Sequence, residues 1–273
     1  MSHLSKAYAP SRYGQLHYRI AQAAPNASAR PLLCLHQTPS SGKEWLPVMP
    51  ALSRNRVVIA ADNPGYGMSD APPEPVTIED FAAVMADLMS YLADRGDIPP
   101  GPFDVIGYHT GSLVATELAR SLPDRVRKAV LFGLAAYPEE QRMEKLRTLR
   151  DKFPAPDRTL RHVERQWALM QSLIDERMDA ETMHMAMAES LALGSRLPWG
   201  YVAVYKYDFL GAMPQVRQPV LIMNPEDDLH EVTLRTAGGY PNGSRFDMPG
   251  VAHGVLTIEH DAVVARIEEF LAL

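Results

Sequence analysis

The segment FDVIGYHTGSLVA, Phe103 to Ala115, sets an imidazole, His109, between Gly107 and Gly111. An apolar run precedes it and a helix-forming run follows, so the spacing predicts a strand, a sharp turn and a helix, with His109 at the tip. Flanking glycines relieve crowding at such a tip, and histidine is among the non-glycine residues that tolerate positive φ, so His109 can stand there. Two later stretches carry groups of matching chemistry: NPEDDLH from Asn224 holds Asp227 and Asp228, and PGVAHG from Pro249 holds His253. Imidazoles and carboxylates move protons near neutral pH, and a neutral imidazole can attack an activated acyl group. Each group also has a plainer use. A lone histidine is more often structural, and carboxylates after a strand favour a helix start through the helix dipole.

The elements that must position these groups follow from the apolar pattern. Short runs bounded by turn residues predict buried strands in PLLCLH from 31, RVVIAAD from 56, FDVIGYH from 103, RKAVLFG from 127 and PVLIMN from 219. SRFDMPG from 244 is a weaker last strand, and RYGQLHYRIA near the start predicts a hairpin turning at Gly14. Between the strands run helical periods. Ile78, Phe81, Met85, Leu88 and Leu92 share one face with Thr77 as N-cap, and Val263, Ile267, Phe270 and Leu271 repeat the pattern at the end. Strand–helix alternation of this kind implies an α/β fold with a mostly parallel central sheet and helices on both faces. Ligands then sit beyond the carboxyl ends of the strands, where LHQTPSSG, ADNPGYGMSD, the His109 turn and NPEDDLH all fall.

The alternation breaks once. Residues 137–212 contain no convincing strand, and six of the fourteen methionines lie between Met143 and Met187. This segment is expected to be a helical cap inserted into a core made of residues 1–136 and 213–273.

Composition narrows the partners. With 46% hydrophobic and 22% charged residues in 273, a buried core is expected, and a net charge of −6 with no basic run argues against nucleic acid and anionic membrane. Cys34 is the sole cysteine, in an apolar run, which excludes a disulfide framework and a cysteine metal site. The N-terminal MSHLSKAYAPSRYGQ has no apolar core and no stretch reaches spanning length, so a soluble cytoplasmic protein is expected.

The chain resembles a capped α/β-hydrolase. GYHTG matches the nucleophile elbow except at its apex, where the family carries serine and this sequence carries His109. DNPGYGMSD resembles the D-x-P-G-x-G-x-S segment of capped members, and HQTP resembles the HG-x-P oxyanion loop. PVLIMNPEDD resembles the strand that delivers the acid and GVAHG the loop that delivers the histidine, in the family's chain order. The resemblance implies Asp227 as the acid, with Asp228 the neighbouring alternative, accepting the Nδ1 proton of His253. It also implies oxyanion donors on the backbone N–H groups of Thr38 and Thr110, with His36 and Gln37 standing at the H-G pair of that loop. Asp62 to Ser69 are expected to brace the sheet edge.

Three mechanisms are open at His109. The first is attack to give an acyl-imidazole that hydrolyses with water activated by Asp227–His253. The second is a non-covalent role in which His109 orients water or substrate or transfers a proton while His253 is the main base, as in direct hydration or lyase-type C–C or C–O cleavage. The third is ligand binding without turnover. Ser40 and Ser41 stay open as displaced nucleophiles, whereas Ser112 is expected to point away from the apex. No organic cofactor is implied. Metal is not expected either, because Asp227 would be spent on the outer nitrogen of His253. The favoured substrate is an activated ester, thioester or lactone on a small hydrophobic carbonyl compound, lined by His36, Gln37, Trp167, Trp199 and Tyr201. A homodimer is left open.

Overall fold

In the computed structural model, residues 4–24 and 27–272 are described. The predicted hairpin forms from β1 (Leu4–Ser11) and β2 (Gly14–Ala21), with Gly14 at φ 111° supplying the turn. The apolar runs become β3 (Leu32–Leu35), β4 (Val58–Ala61), β5 (Phe103–Tyr108), β6 (Val126–Phe132) and β7 (Val220–Pro225), and the weak last run becomes β8 (Gly243–Met248). All eight join one sheet in the order β1-β2-β4-β3-β5-β6-β7-β8. β2 runs antiparallel to both β1 and β4, and every other pairing is parallel.

Both faces are covered, which is why β3 and β4 read as unbroken apolar runs and β5 and β7 as nearly so, with Asp104 and Asn224 the buried polar exceptions. The period of two still sorts their side chains. Leu33, Leu35, Ile59, Val105, Leu131 and Ile222 face one core, and Leu32, Cys34, Val58, Ile106, Val130 and Leu221 face the other. The first core is closed by α2 (Ile78–Asp94) and α3 (Thr110–Ser121), the second by α1 (Met49–Leu52), α10 (Val255–Ile258) and α11 (His260–Ala272). Thr77 caps α2 as expected, in a capping box with Asp80. Phe81, Met85, Leu88 and Leu92 are buried beneath it, each stabilising by roughly 1.5–3 kcal/mol relative to exposure. Asp62 follows the carboxyl end of β4, an interior strand between β2 and β3, so it braces the middle of the sheet rather than the expected edge. Its carboxylate meets His17 at 2.8 Å and Arg19 at 3.2 Å and accepts from the Gly42 amide at 2.8 Å.

Between β6 and β7 the chain makes α4 (Glu139–Lys152), α5 (Arg161–Leu173), α6 (Ala180–Ala192), α7 (Trp199–Lys206) and α8 (Phe209–Ala212). The strand-like pairing in this segment, among the described residues, is a single bridge from Ile174 to His253. The helices rest over the carboxyl ends of the strands. Gly200 N donates to the Tyr66 hydroxyl at 2.7 Å, the Tyr201 hydroxyl to the Thr38 carbonyl at 3.1 Å, and Arg196 to the Gly65 carbonyl at 3.3 Å. A short helix, α9 (His230–Thr236), follows β7. No helix among the described residues is long and apolar enough to cross a membrane.

Candidate active site

β5 ends at Tyr108, and the chain turns at His109 with φ 46° and ψ −105° before α3 begins. Two hydrogen bonds fix the turn: His109 N donates to the Phe132 carbonyl and Ser112 N to the His109 carbonyl, both at 2.8 Å. The flanking glycines are required by close approach. A Cβ on Gly107 would lie 2.2 Å from the Gly111 carbonyl oxygen, and one on Gly111 would lie 2.1 Å from that of Leu35. Gly133, at φ 64° just past β6, has a further role. A Cβ there would lie 2.6 Å from His109 Cδ2 and 2.7 Å from its Nε2, so this glycine makes the space the imidazole occupies.

The Cδ2–Nε2 edge of that ring faces Asp227. His109 Nε2–H donates to Asp227 Oδ2 at 2.8 Å, with the histidine side chain 12% exposed and the aspartate side chain fully buried. Asp227 Oδ1 accepts from Leu229 N at 2.9 Å. Burial alone would lower the pKa of His109, but the charge and hydrogen bond of Asp227, with help from Asp228 and Glu44, raise it to about 9. Asp227 moves the opposite way: burial would raise it, and the imidazolium of His109 holds it below the usual carboxylate range. The pair is an imidazolium–carboxylate at neutral pH, and its free edge carries Nδ1.

The expected Asp227–His253 pairing is corrected here. His253 Nε2–H donates to Asp228 Oδ1 at 2.8 Å, so the acid of the second histidine is the neighbouring carboxylate. The reason is local. Leu229 N holds Asp227 turned back toward the elbow, and the next side chain, Asp228, projects toward the histidine loop. Burial would raise Asp228, but the His253 hydrogen bond and the charges of His109, His253 and Lys152 hold it well below its ordinary value. The two imidazoles stand edge to face, ring centroids 5.0 Å apart and planes at 74°.

The His253 loop is tied to the helical segment. Asp175 N donates to the His253 carbonyl at 2.9 Å, Ala252 N to Asp175 Oδ2 at 3.0 Å, and Arg177 to the Gly250 carbonyl at 3.0 Å. Asp175 and Gly133 have no sequence signal of their own. Each is found only once the elements that neighbour it are known.

The remaining expected residues divide. Thr38 and Thr110 do meet at the elbow, but Thr38 N donates to Thr110 Oγ1 at 3.3 Å. His36 is fully buried, its Nδ1–H donating to the Gln37 carbonyl at 2.7 Å and its Nε2 accepting from Asn63 N at 2.9 Å. With both nitrogens engaged by backbone, it braces two loops rather than lining a pocket. Gln37 is clamped by Glu44, which accepts from its backbone N at 3.0 Å and its side-chain amide at 2.5 Å. Burial pushes Glu44 up to about 7 against those two bonds. Tyr201 stacks on Phe153 at 4.7 Å and reaches the Thr38 carbonyl; Trp167 and Trp199 are half-buried on α5 and at the start of α7. The serines are otherwise occupied. Ser112 donates to the Gly107 and Phe132 carbonyls, and Ser41 is fully buried and donates to Glu189. Ser40, half-buried, reaches the Ser41 carbonyl at 3.5 Å.

His109, Asp227 and His253 offer donor atoms within 4.8 Å of one another. The premise that Asp227 is spent on His253 does not hold, although a cation here would have to displace the 2.8 Å His109–Asp227 contact. A separate hollow of about 150 Å³, lined by Pro31, Met89, Ile98, Phe103 and Arg125, lies at the other end of the sheet, where β3 and β5 begin.

Comparison with known proteins places the scaffold. The (E)-2-((N-methylformamido)methylene)succinate hydrolase of Acinetobacter baylyi is 28% identical over 42% of this chain and 42% of its own length, so the chain spans under half of that relative. A poly(3-hydroxyalkanoate) depolymerase of Ectopseudomonas oleovorans is 25% identical over 88% of this chain and 84% of its own. The enol-lactonase structure from Burkholderia xenovorans LB400 superposes with a TM-score of 0.75 at 20% identity, covering 98% of this chain and 100% of that one. The family model described as the alpha/beta hydrolase fold matches residues 30–229. With that match across most of its length, and an eight-stranded sheet carrying an elbow after β5, this chain belongs to the α/β-hydrolase fold family.

Proposed function

We propose that this protein hydrolyses an activated ester, thioester or lactone of a small, largely hydrophobic carbonyl compound, adding water directly and forming no acyl-enzyme. The observation that carries this reading is the 2.8 Å contact between His109 Nε2 and Asp227 Oδ2. It makes the elbow imidazole a cation near neutral pH, with no free lone pair for attack. The same cation suits a different role, since its Nδ1–H can donate to a carbonyl oxygen as negative charge develops there, alongside the backbone N–H of Thr110.

His253 supplies the base. With its Nε2–H directed to Asp228, its Nδ1 carries the lone pair that takes a proton from water. The resulting hydroxide attacks the carbonyl carbon, and the C=O electron pair moves onto oxygen opposite His109. As the tetrahedral species collapses, the bond to the leaving alkoxide, enolate or thiolate breaks, and His253 returns the proton to it. An activated leaving group suits this route, because no alkoxide nucleophile is available to attack a hindered, unactivated ester. The relatives named as a hydrolase, a depolymerase and an enol-lactonase support cleavage by water on this scaffold. The cap reading of residues 137–212 is supported by the ties from that segment to the His253 loop and to the Thr38 carbonyl.

Steady-state and rapid-quench measurements with p-nitrophenyl acetate in water enriched in oxygen-18 test it. Turnover without a burst, with label in the acetate and no acetyl mass on His109, is expected. A stoichiometric burst with acetylated His109 would establish the covalent route instead. Ligand binding with no turnover on esters, thioesters and lactones would leave a binding protein.

A further inference from the structure

The inward stripe of α4 reads Arg142, Lys145, Leu146, Leu149, spaced as one helical face, with Arg142 and Leu149 buried and the other two half-buried. Arg142 is accounted for: its guanidinium donates to the carbonyls of Tyr205 and Lys206 at 3.2 and 3.3 Å. Lys145 is not. Its ammonium lies 4.4 Å from the ring centroid of Tyr137 and 5.9 Å from that of Tyr205. Among the described residues the one lysine–carboxylate ion pair is Lys43–Glu189, so this half-buried cation rests against aromatic faces alone.

A run of rings links it to the loop beside the elbow. Tyr137 packs on Tyr205 at 6.3 Å, Tyr205 on Tyr201 at 6.4 Å, and Tyr201 on Phe153 at 4.7 Å. The Tyr201 hydroxyl donates to the Thr38 carbonyl beside the elbow, so the rings run from the oxyanion loop to Lys145. Burial and the neighbouring Lys152 lower the pKa of Lys145, while the charge of Asp228 pulls it back up. The ammonium is therefore partly stripped of water and within electrostatic reach of the site. Asp227 and Asp228 are each held by an imidazole and do not neutralise it.

A cation held by ring faces alone keeps its full charge available to an anionic ligand. We propose that Lys145 binds a carboxylate on the substrate, so that the acyl group carries an acid at the end remote from the carbonyl that reacts between His109 and His253. The hydrophobic stretch between the two ends would lie along Tyr137, Tyr201 and Tyr205. This substrate class rests on the hydrolytic reading above, and the test separates the two.

The experiment compares mono-p-nitrophenyl glutarate with p-nitrophenyl butyrate on wild type, Lys145→Met, Lys145→Gln and Lys145→Arg. A charge-assisted contact in such a site is worth roughly a tenfold to hundredfold preference. Wild type is expected to favour the glutarate ester in kcat/KM by that factor, mostly through KM. Lys145→Met and Lys145→Gln should bring the ratio of the two substrates to about one, and Lys145→Arg should keep most of it. Equal rates on the two esters in wild type, or an unchanged ratio in folded Met and Gln variants, would overturn the assignment. If wild type cleaves neither ester, the hydrolytic reading fails by itself, and calorimetric titration with glutarate decides the anchor. Binding that weakens tenfold or more in Lys145→Met supports it; equal binding in both, or none in wild type, refutes it.

Discussion

His109 Nε2 and Asp227 Oδ2 stand 2.8 Å apart, and this contact occupies the edge of the elbow imidazole that faces Gly133. It joins the tip of the β5–α3 turn to the loop after β7, two segments 118 residues apart. Everything proposed for His109 depends on that carboxylate keeping the ring charged and oriented. Asp227→Asn preserves shape and removes the charge, so the ring loses both its proton and its stabilising partner. The expected loss in kcat is about 10²–10⁴-fold, with a much smaller change in KM. Steady-state kinetics on the best p-nitrophenyl ester check this, and a variant within threefold of wild type would remove His109 from the reaction.

The same contact predicts a pH dependence of stability. The folded pKa of His109 is about 9 against an ordinary 6.5, so its contribution is fully present below 6.5 and is lost as pH rises through about 9. The sum is roughly 3 kcal/mol as an order of magnitude. Glu44 acts in the same direction at lower pH. Its burial raises it from 4.5 to about 7, so its protonated form favours the fold below 4.5 and that advantage fades by about 7. Urea unfolding across pH 5–9 should therefore show stability falling in two overlapping steps. His109→Asn should flatten the upper step and Glu44→Gln the lower. An upper step that survives in His109→Asn would show that another group carries it. Activity should also decline above about pH 9, as the elbow loses its proton.

How much of this was legible in the sequence depends on whether the cause was local. The strands were, because burial on both faces writes them as unbroken apolar runs such as Leu32–Leu35 and Val58–Ala61. The elbow was, because Gly107 and Gly111 answer to contacts within a few residues or with the adjacent strand. The pairing of acids and histidines was not. Asp227 and Asp228 are neighbours of identical type, and only the loop's path, set by Leu229 N, decides which one faces which imidazole. His36 was misplaced for a related reason. Its motif position says that it lies near the site, but its two hydrogen bonds, to the Gln37 carbonyl and from Asn63 N, come from loops that meet only in three dimensions.

Gly133 offers a sharp test of the geometry. Gly133→Ala sets a methyl where His109 Cδ2 and Nε2 already lie, at 2.6 and 2.7 Å, and asks alanine to hold φ 64°. The backbone cost is about 1–2 kcal/mol, and the ring must also move off Asp227. Activity should fall by tenfold or more, and the pH 7–9 stability step should shrink together with it. A variant that is destabilised yet keeps normal activity would show that the ring's place over Gly133 is irrelevant to function.

The tie between Asp175 and the His253 loop makes the last prediction. Asp175 accepts from Ala252 N at 3.0 Å, while its own amide donates to the His253 carbonyl at 2.9 Å. Arg177 braces the carboxylate at 2.8 Å and reaches the Gly250 carbonyl. Asp175→Ala leaves the backbone bond in place but frees the Ala252 amide and leaves Arg177 held by Glu259 and the Gly250 carbonyl alone. The expected cost is about 1–2 kcal/mol of stability, with faster hydrogen exchange confined to residues near Ala252. Because His253 is then held by one strand-like bridge and Asp228, its imidazole should wander, lowering kcat several-fold with little change in KM. Unaltered exchange at Ala252 and an unaltered kcat would mean that the histidine loop is rigid without the helical segment, and that the segment serves only to cover the site.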